Sequence, residues 1–254
     1  MTDTKAWKVC FEIGLNHLGR YENIMAIIND AEIPQLPCAI SIQIREDSFY
    51  ADGRQDFTLR SSEYSELRKL CAGLQIPFGL ALGPLEDLTW LASLNLEPDF
   101  IKFLSVASND IEFVDRLNKV FHCPKYYSVG LSNYSYIQEH LVSRMRNQDM
   151  LIHTSLSHAS CDQNLGDISK LASFGRPVCF GLHARELEVC FAAIGAGAEK
   201  IFIYIGDKGL PIPDKEHAIS TVDAKFFYNK AAECFAAMDK VAKKKKQPKI
   251  KFIG

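Results

Sequence analysis

The chain has 254 residues, 47% hydrophobic and 24% charged, with a formal net charge of −2. That length builds one large core without forcing a second domain, and the balanced charge gives no case for a nucleic-acid or membrane-surface partner. Residues 1–8 are polar, and no apolar run reaches the roughly 18–20 residues that span a bilayer, so the expectation is a cytoplasmic protein. Eight cysteines lie scattered without a CxxC pair, several inside apolar runs such as VCFEIG and PVCFGL, and read as reduced core thiols.

Short apolar runs recur along the chain at Lys8–Gly14, Cys38–Ile44, Ile76–Ala81, Asp99–Leu104, Lys125–Val129, Met150–Thr154, Pro177–Leu182 and Lys200–Ile205. Each has the near-continuous hydrophobicity of a strand buried on both faces. Helix-length amphipathic segments fill the gaps: Tyr21–Ala31, Ser62–Ala72, Leu85–Leu94, Asp110–Phe121, Asn133–Arg146, Asp167–Phe174, Arg185–Ile194 and Ser220–Lys243. Asp110, Asn133 and Ser220 stand as start signals, while Gly195 and Gly197 punctuate the seventh helix. Strict alternation argues for an α/β fold with a parallel sheet, and eight strands close a (β/α)8 (TIM) barrel over residues 1–242. An open doubly wound sheet is the alternative, but EIGLNHLGR after the first strand is not the glycine-rich phosphate loop that fold favours. Residues 243–254 read as a basic tail.

In such a barrel, polar residues at the C-terminal strand ends are the site candidates. Glu12 sits in an apolar strand, where a carboxylate is either paired and functional or exposed at the rim. Ser41, Gln43 and Arg45 share one face of the second strand by the period of two. Lys102, between Ile101 and Phe103, must reach an anion, a carbonyl or solvent. Strand six ends in His153, Thr154 and Ser155, with His158 following, and strand seven ends at His183. Those imidazoles are metal ligands, general acids or satisfied structural residues, whereas His122 and His140 fall on helical surfaces. After strand eight, two prolines force an extended loop presenting Asp214, Glu216 and His217 for acid–base work or helix capping.

Taken in order, these segments resemble the sialic acid synthase (N-acetylneuraminate synthase) family. FEIGLNHLG is similar to its EIGxNHxG opening, IKFLS to its KIxS segment, YYSVGLSN to its STGM-type turn and LIHTS to its LHCTS. PVCFGLHARELEVCFAAIGAGAEKIF resembles the VGYSDHTxGxxxxxAAxxxGAxxIE stretch, and LPIPDKEHAIS resembles LPGPDHKAS with two residues inserted. The resemblance implies a TIM barrel that condenses phosphoenolpyruvate with an N-acylated amino sugar, or its phosphate, to a nine-carbon 2-keto acid. A divalent metal, manganese or magnesium, is implied with it.

Carried over by position, Glu12, Lys102 and Asp214 are expected to be catalytic. Asn16, His17, Arg45, Lys102, Ser105, His153, Ser155 and His217 are expected around the substrates, and His183 on the metal. The pattern also departs. The family's second metal histidine falls on Tyr204, its strand-two lysine on Ser41, a strand-four glutamate on Ala107, and the serine before the strand-seven histidine on Gly181. No counterpart of the family's antifreeze-like C-terminal domain is expected, so a homo-oligomer or a separate partner would have to supply its sugar-binding arginine. Two alternatives stay open: a non-catalytic or partner-dependent barrel, and an aldolase forming a Schiff base on Lys102.

Overall fold

The computed structural model describes residues 7–51 and 53–241. Eight parallel strands follow one another round a closed ring: β1 (Val9–Gly14), β2 (Ala39–Ile44), β3 (Phe78–Leu82), β4 (Phe100–Phe103), β5 (Lys125–Ser128), β6 (Met150–His153), β7 (Val178–Gly181) and β8 (Ile201–Gly206). Closure is explicit, because β1 pairs in parallel with both β2 and β8. The fold is therefore a (β/α)8 TIM barrel, and the open doubly wound alternative is excluded. A two-residue strand, β9 (Ile219–Ser220), extends β8 beyond the ring.

The period of two sorts each strand's side chains between two environments. Residues of one parity, among them Phe11, Ile13, Ile40, Ile42, Leu80, Phe103, Tyr127, Leu151, Phe180 and Ile203, join the helices in one large apolar layer. The other parity points into the barrel. There Cys10, Ala39, Phe100, Tyr126, Met150, Cys179 and Phe202 pack with Trp7 as a separate plug. Trp7, Phe100, Tyr126 and Phe202 contact one another with ring centroids 5.0–6.3 Å apart, so the N-terminal end is shut by aromatic rings. Polar side chains can occupy only the layers above this floor.

Several helices differ from their expected extents. Asp110 and Asn133 cap as the sequence suggests, accepting from the backbone N–H of Phe113 and Tyr136. Ser220 makes no side-chain cap, and a 3₁₀ turn at Thr221–Asp223 starts the last helix, Ala224–Val241. The third segment forms only Thr89–Ser93. The fifth is broken into an α turn, a π turn over Ile137–Leu141 and a 3₁₀ turn over Val142–Arg144. An extra helix, Asp47–Ala51, and a 3₁₀ turn, Gln55–Phe57, fill the long connection after β2. Neither shows a periodic apolar signal in the sequence, because their residues are largely exposed. All eight cysteines are free; only Cys161 is exposed. No described helix is long and apolar enough to cross a membrane. The basic stretch 243–254 lies outside the described residues.

Gly79 on β3 faces the floor, and a β-carbon there would run into the Phe100 ring. Trp7, Tyr126 and Phe202 hold that ring on several sides, so it has nowhere to retreat. Gly79→Ala is expected to destabilise the fold by about 1–3 kcal/mol through overpacking. Urea unfolding of the variant checks it, and an unchanged midpoint would contradict the plugged floor.

Candidate active site at the barrel mouth

Above the aromatic floor the inward-facing positions turn polar. Glu12 on β1 and Lys102 on β4 meet across the barrel, with the Lys102 Nζ 2.7 Å from both Glu12 carboxylate oxygens. They are 2% and 3% exposed. Burial rules out the rim placement that was open for Glu12. The carboxylate is held by a cation because an unpaired charge at that depth would be prohibitive. The ammonium also lies 5.4 and 5.7 Å from the ring centroids of Phe202 and Tyr204. Two of its three donors are directed at Glu12, leaving one for a ligand above.

That ligand space is an open cavity of about 200 Å³ at the C-terminal mouth, to which Lys102, Gln43, Arg45, Ser105, Ser128, His183 and Tyr204 all contribute. Ser105 and Ser128 hydroxyls stand 3.0 Å apart on neighbouring strand ends. Gln43 and Arg45 are on the inward face of β2, as the period of two requires, with Ser41 one layer deeper receiving the Cys10 thiol. Arg45 donates through Nε and Nη2 to the two Glu46 oxygens at 3.0 and 2.8 Å. Both cations of the mouth are thus already paired with a carboxylate from the chain.

The loop after β8 closes one side. Asn16 positions it: Nδ2 donates to the Ile205 carbonyl, and Oδ1 accepts from the Asp214 N–H. Asp214 and the Tyr204 ring both crowd Gly14, whose φ of +59° and missing side chain permit the approach. Burial, followed by the Glu12 charge, pushes the Asp214 carboxyl up to about 7, against the opposing pull of Lys102. His217 is 7% exposed, and neither ring nitrogen has a hydrogen-bond partner among the described residues. Its Nε2 lies 3.6 Å from Asp214 Oδ1. The ring stacks on His183 with centroids 4.9 Å apart and lies 5.0 Å from His158. Burial, then the neighbouring imidazoles, lower His183 to about 3; burial and His158 lower His217 to about 4.

The structure therefore brings together Glu12, Lys102, Arg45, Ser105, His183, Asp214 and His217, with Asn16 as their scaffold. It does not bring in the other three expected residues. His17 is buried in the turn after β1, where its Nδ1 accepts from the Gly19 N–H, and burial lowers it to about 4. His153 has the outward parity of Leu151; its Nε2 meets the Gln163 carbonyl at 2.7 Å and its ring packs by Phe180. Ser155 accepts from the Ser157 N–H within its own loop. Ser128 joins the mouth residues without a motif to mark it; its parity with Tyr126 is the sequence signal that places it inward.

The implied divalent metal can be tested on the donors present. Among the described residues no three His, Cys, Asp or Glu side chains are arranged to hold a metal ion. Tyr204, beside His183, is a buried phenol whose proton is held well above the ordinary range by burial and by Glu12. A neutral phenol is a poor ligand for manganese or magnesium. The arrangement does not fit a preformed divalent centre.

The sequence matches the NeuB family over residues 38–243. No curated protein sequence matches the chain significantly. Among solved structures, an N-acetylneuraminic acid (sialic acid) synthetase from Leptospira borgpetersenii superposes with a TM-score of 0.81 at 19% identity, covering 97% of this chain and 89% of that one. A spore coat polysaccharide biosynthesis protein spsE from Bacillus subtilis gives 0.76 at 22%, covering 94% and 71%. A truncated 3-deoxy-D-arabino-heptulosonate 7-phosphate synthase from Thermotoga maritima gives 0.68 at 12%, covering 92% and 87%. At these identities the superpositions establish a shared fold.

Removing one member of the buried pair strands the other. Glu12→Gln is expected to cost about 3–5 kcal/mol, whereas the double replacement Glu12→Leu with Lys102→Met should come out close to neutral. Guanidinium unfolding of these variants and of Lys102→Met measures the difference; a double variant that loses the sum of the two single losses would mean the pair is not coupled.

Proposed function

The chain belongs to the NeuB family, and we propose that its barrel mouth condenses phosphoenolpyruvate with an N-acylated amino sugar to give a 2-keto sugar acid. The observation that carries this reading is the single cavity shared by Lys102, Arg45, Gln43 and the Ser105–Ser128 hydroxyl pair. Five side chains with N–H or O–H donors facing one small space suit a compact ligand carrying a phosphate and a carboxylate. Arg45 keeps donors beyond those given to Glu46, as Lys102 does beyond Glu12.

In this reading C3 of phosphoenolpyruvate attacks the aldehyde carbon of the sugar, forming the new C–C bond. The aldehyde oxygen takes the Asp214 proton, which a carboxyl raised to about 7 still holds near neutrality. Water adds at C2 and gives up a proton to a carboxylate of the mouth. The C2–O bond to phosphate breaks as the remaining C2 hydroxyl collapses to the ketone, and its proton leaves with the inorganic phosphate. Lys102 orients the enol-pyruvyl group throughout, and Glu12 fixes Lys102.

A second reading has one specific observation in its favour. Because Glu46 and Glu12 already neutralise both cations, the mouth also suits a neutral ligand in a barrel that no longer performs this condensation. The Schiff-base alternative is less favoured, since the Lys102 nitrogen would first have to leave both Glu12 oxygens.

Phosphate release from phosphoenolpyruvate should require an added acyl-amino sugar, and Lys102→Met should abolish it. The rate should fall as pH rises through about 7, where Asp214 loses its proton. Asp214→Asn should lower the rate by about 10²-fold or more and flatten that limb. A steady phosphate assay across a sugar panel, with and without manganese or magnesium, decides between the readings; silence on every sugar leaves the binding barrel.

A further inference from the structure

The two ion pairs of the mouth differ in how firmly they are held. Glu12 and Lys102 meet across the barrel and are almost fully buried, so neither can leave the other without stranding a charge in the interior. Arg45 and Glu46 are neighbours in sequence at the end of β2, and each side chain is 19% exposed. An ion pair in that setting is held weakly, because solvent compensates both partners when it opens.

Two contacts place Arg45 independently of Glu46. Its backbone N–H donates to the Tyr50 hydroxyl at 3.1 Å, and its Cζ lies 4.2 Å from the centroid of the Phe49 ring. The Arg54 Cζ lies over the same ring at 4.6 Å. Glu46 is held differently. Its carboxylate rests on the bare backbone of Gly83, where a β-carbon would run into Oε2. Glu46 also borders an open cavity of about 330 Å³ between the connections after β2 and β3. Its side chain therefore has room to rotate away, while Arg45 stays on Phe49 and at the mouth it shares with Lys102. Burial alone would raise the Glu46 carboxyl, but hydrogen bonds from Arg45 and from its own backbone hold it below the usual carboxylate range. It is an anion near neutral pH.

We propose that Glu46 is a displaceable counter-ion, which holds Arg45 in place and gives up its two hydrogen bonds on the guanidinium to the anionic group of an incoming ligand. Glu46 acts through Arg45 and is a positioning residue. It also makes the mouth selective: a ligand must carry a carboxylate or phosphate able to replace a bidentate carboxylate, which a hydroxyl does not. The identity of that ligand as phosphoenolpyruvate rests on the condensation reading.

Calorimetric titration of the full chain at fixed ionic strength, with phosphoenolpyruvate and separately with inorganic phosphate, tests the assignment. Glu46→Gln keeps the shape of the side chain and removes the competing charge, so it should bind phosphoenolpyruvate about tenfold more tightly than the wild-type chain. A purely structural role predicts the opposite sign, since a misplaced Arg45 binds an anion more weakly. Gly83, whose φ is not in the left-handed region, accepts alanine, and Gly83→Ala should push the carboxylate off Arg45 and tighten binding in the same direction. Arg45→Met should weaken binding, and adding Glu46→Gln to it should lose most of the gain. The proposal is overturned if neither Glu46→Gln nor Gly83→Ala binds more tightly, if the gain persists undiminished without Arg45, or if neither anion binds any of these chains. The two readings fail separately. Tighter binding in Glu46→Gln without phosphate release on any sugar defeats the condensation and leaves the counter-ion. Phosphate release with a phosphoenolpyruvate KM that neither Glu46→Gln nor Gly83→Ala lowers defeats the counter-ion and leaves the condensation.

Discussion

Closure of the strand ring between β1 and β8 is the constraint on which the rest of the molecule depends. Once the ring is shut, every second residue of every strand is committed to a confined interior, and no inward side chain can escape to solvent sideways. The aromatic plug of Trp7, Phe100, Tyr126 and Phe202 then blocks one end. Polarity has to be graded along the barrel axis: rings at the floor, the Glu12–Lys102 pair above them, and serine, glutamine and arginine side chains at the open rim. The site lies at the C-terminal mouth because the same alternation that fills the floor delivers hydroxyls and charges two residues further along.

That grading explains the electrostatics of the mouth. A carboxylate two strand positions above an aromatic layer must bring its own counter-ion, and Lys102 serves on both sides of that need. The pair is compact and internally neutral, so it lends little net charge to its surroundings. Asp214, arriving on a loop into partly desolvated space, feels Glu12 at closer effect than Lys102 and is raised to about 7. Two nearby imidazoles are pushed the other way for the matching reason, since burial disfavours their charged form. The mouth thus places a carboxyl able to hold a proton near neutrality beside histidines that are not charged there.

The barrel was legible in the sequence because its signal is repeated: eight apolar runs, each too short to be anything but a buried strand. The same parity argument, applied to each strand in turn, would also have separated inward Ser128 from outward His153. His153 shares its parity with Leu151, and that face, not its position at a strand end, decides where the imidazole goes. The loops were less readable for a different reason. His217 and Asp214 are placed by Asn16 reaching across from the first strand, a contact separated by 198 positions from Asp214. The Arg45–Glu46 pair depends on the space left by Gly83 on the neighbouring strand connection. Neither relation leaves a periodic trace.

Tyr204, at the position where the resemblance leads one to expect a histidine, is packed against its neighbours in the mouth in a way that links their consequences. The Tyr204 ring is larger than an imidazole, apolar over most of its surface and buried. It packs edge-on against both His183 and His217, with centroids 5.7 and 5.1 Å away. The phenol thereby occupies volume beside the stacked pair of imidazoles instead of adding a third donor. Gly14 is tied to the same ring, since any side chain there would meet the Tyr204 ring and Asp214 together. Replacing Tyr204 alone by histidine would leave a gap beside His217. The tyrosine, the glycine and the histidine stack therefore act as one packed unit, and a change of chemistry on this side of the mouth requires changing them together.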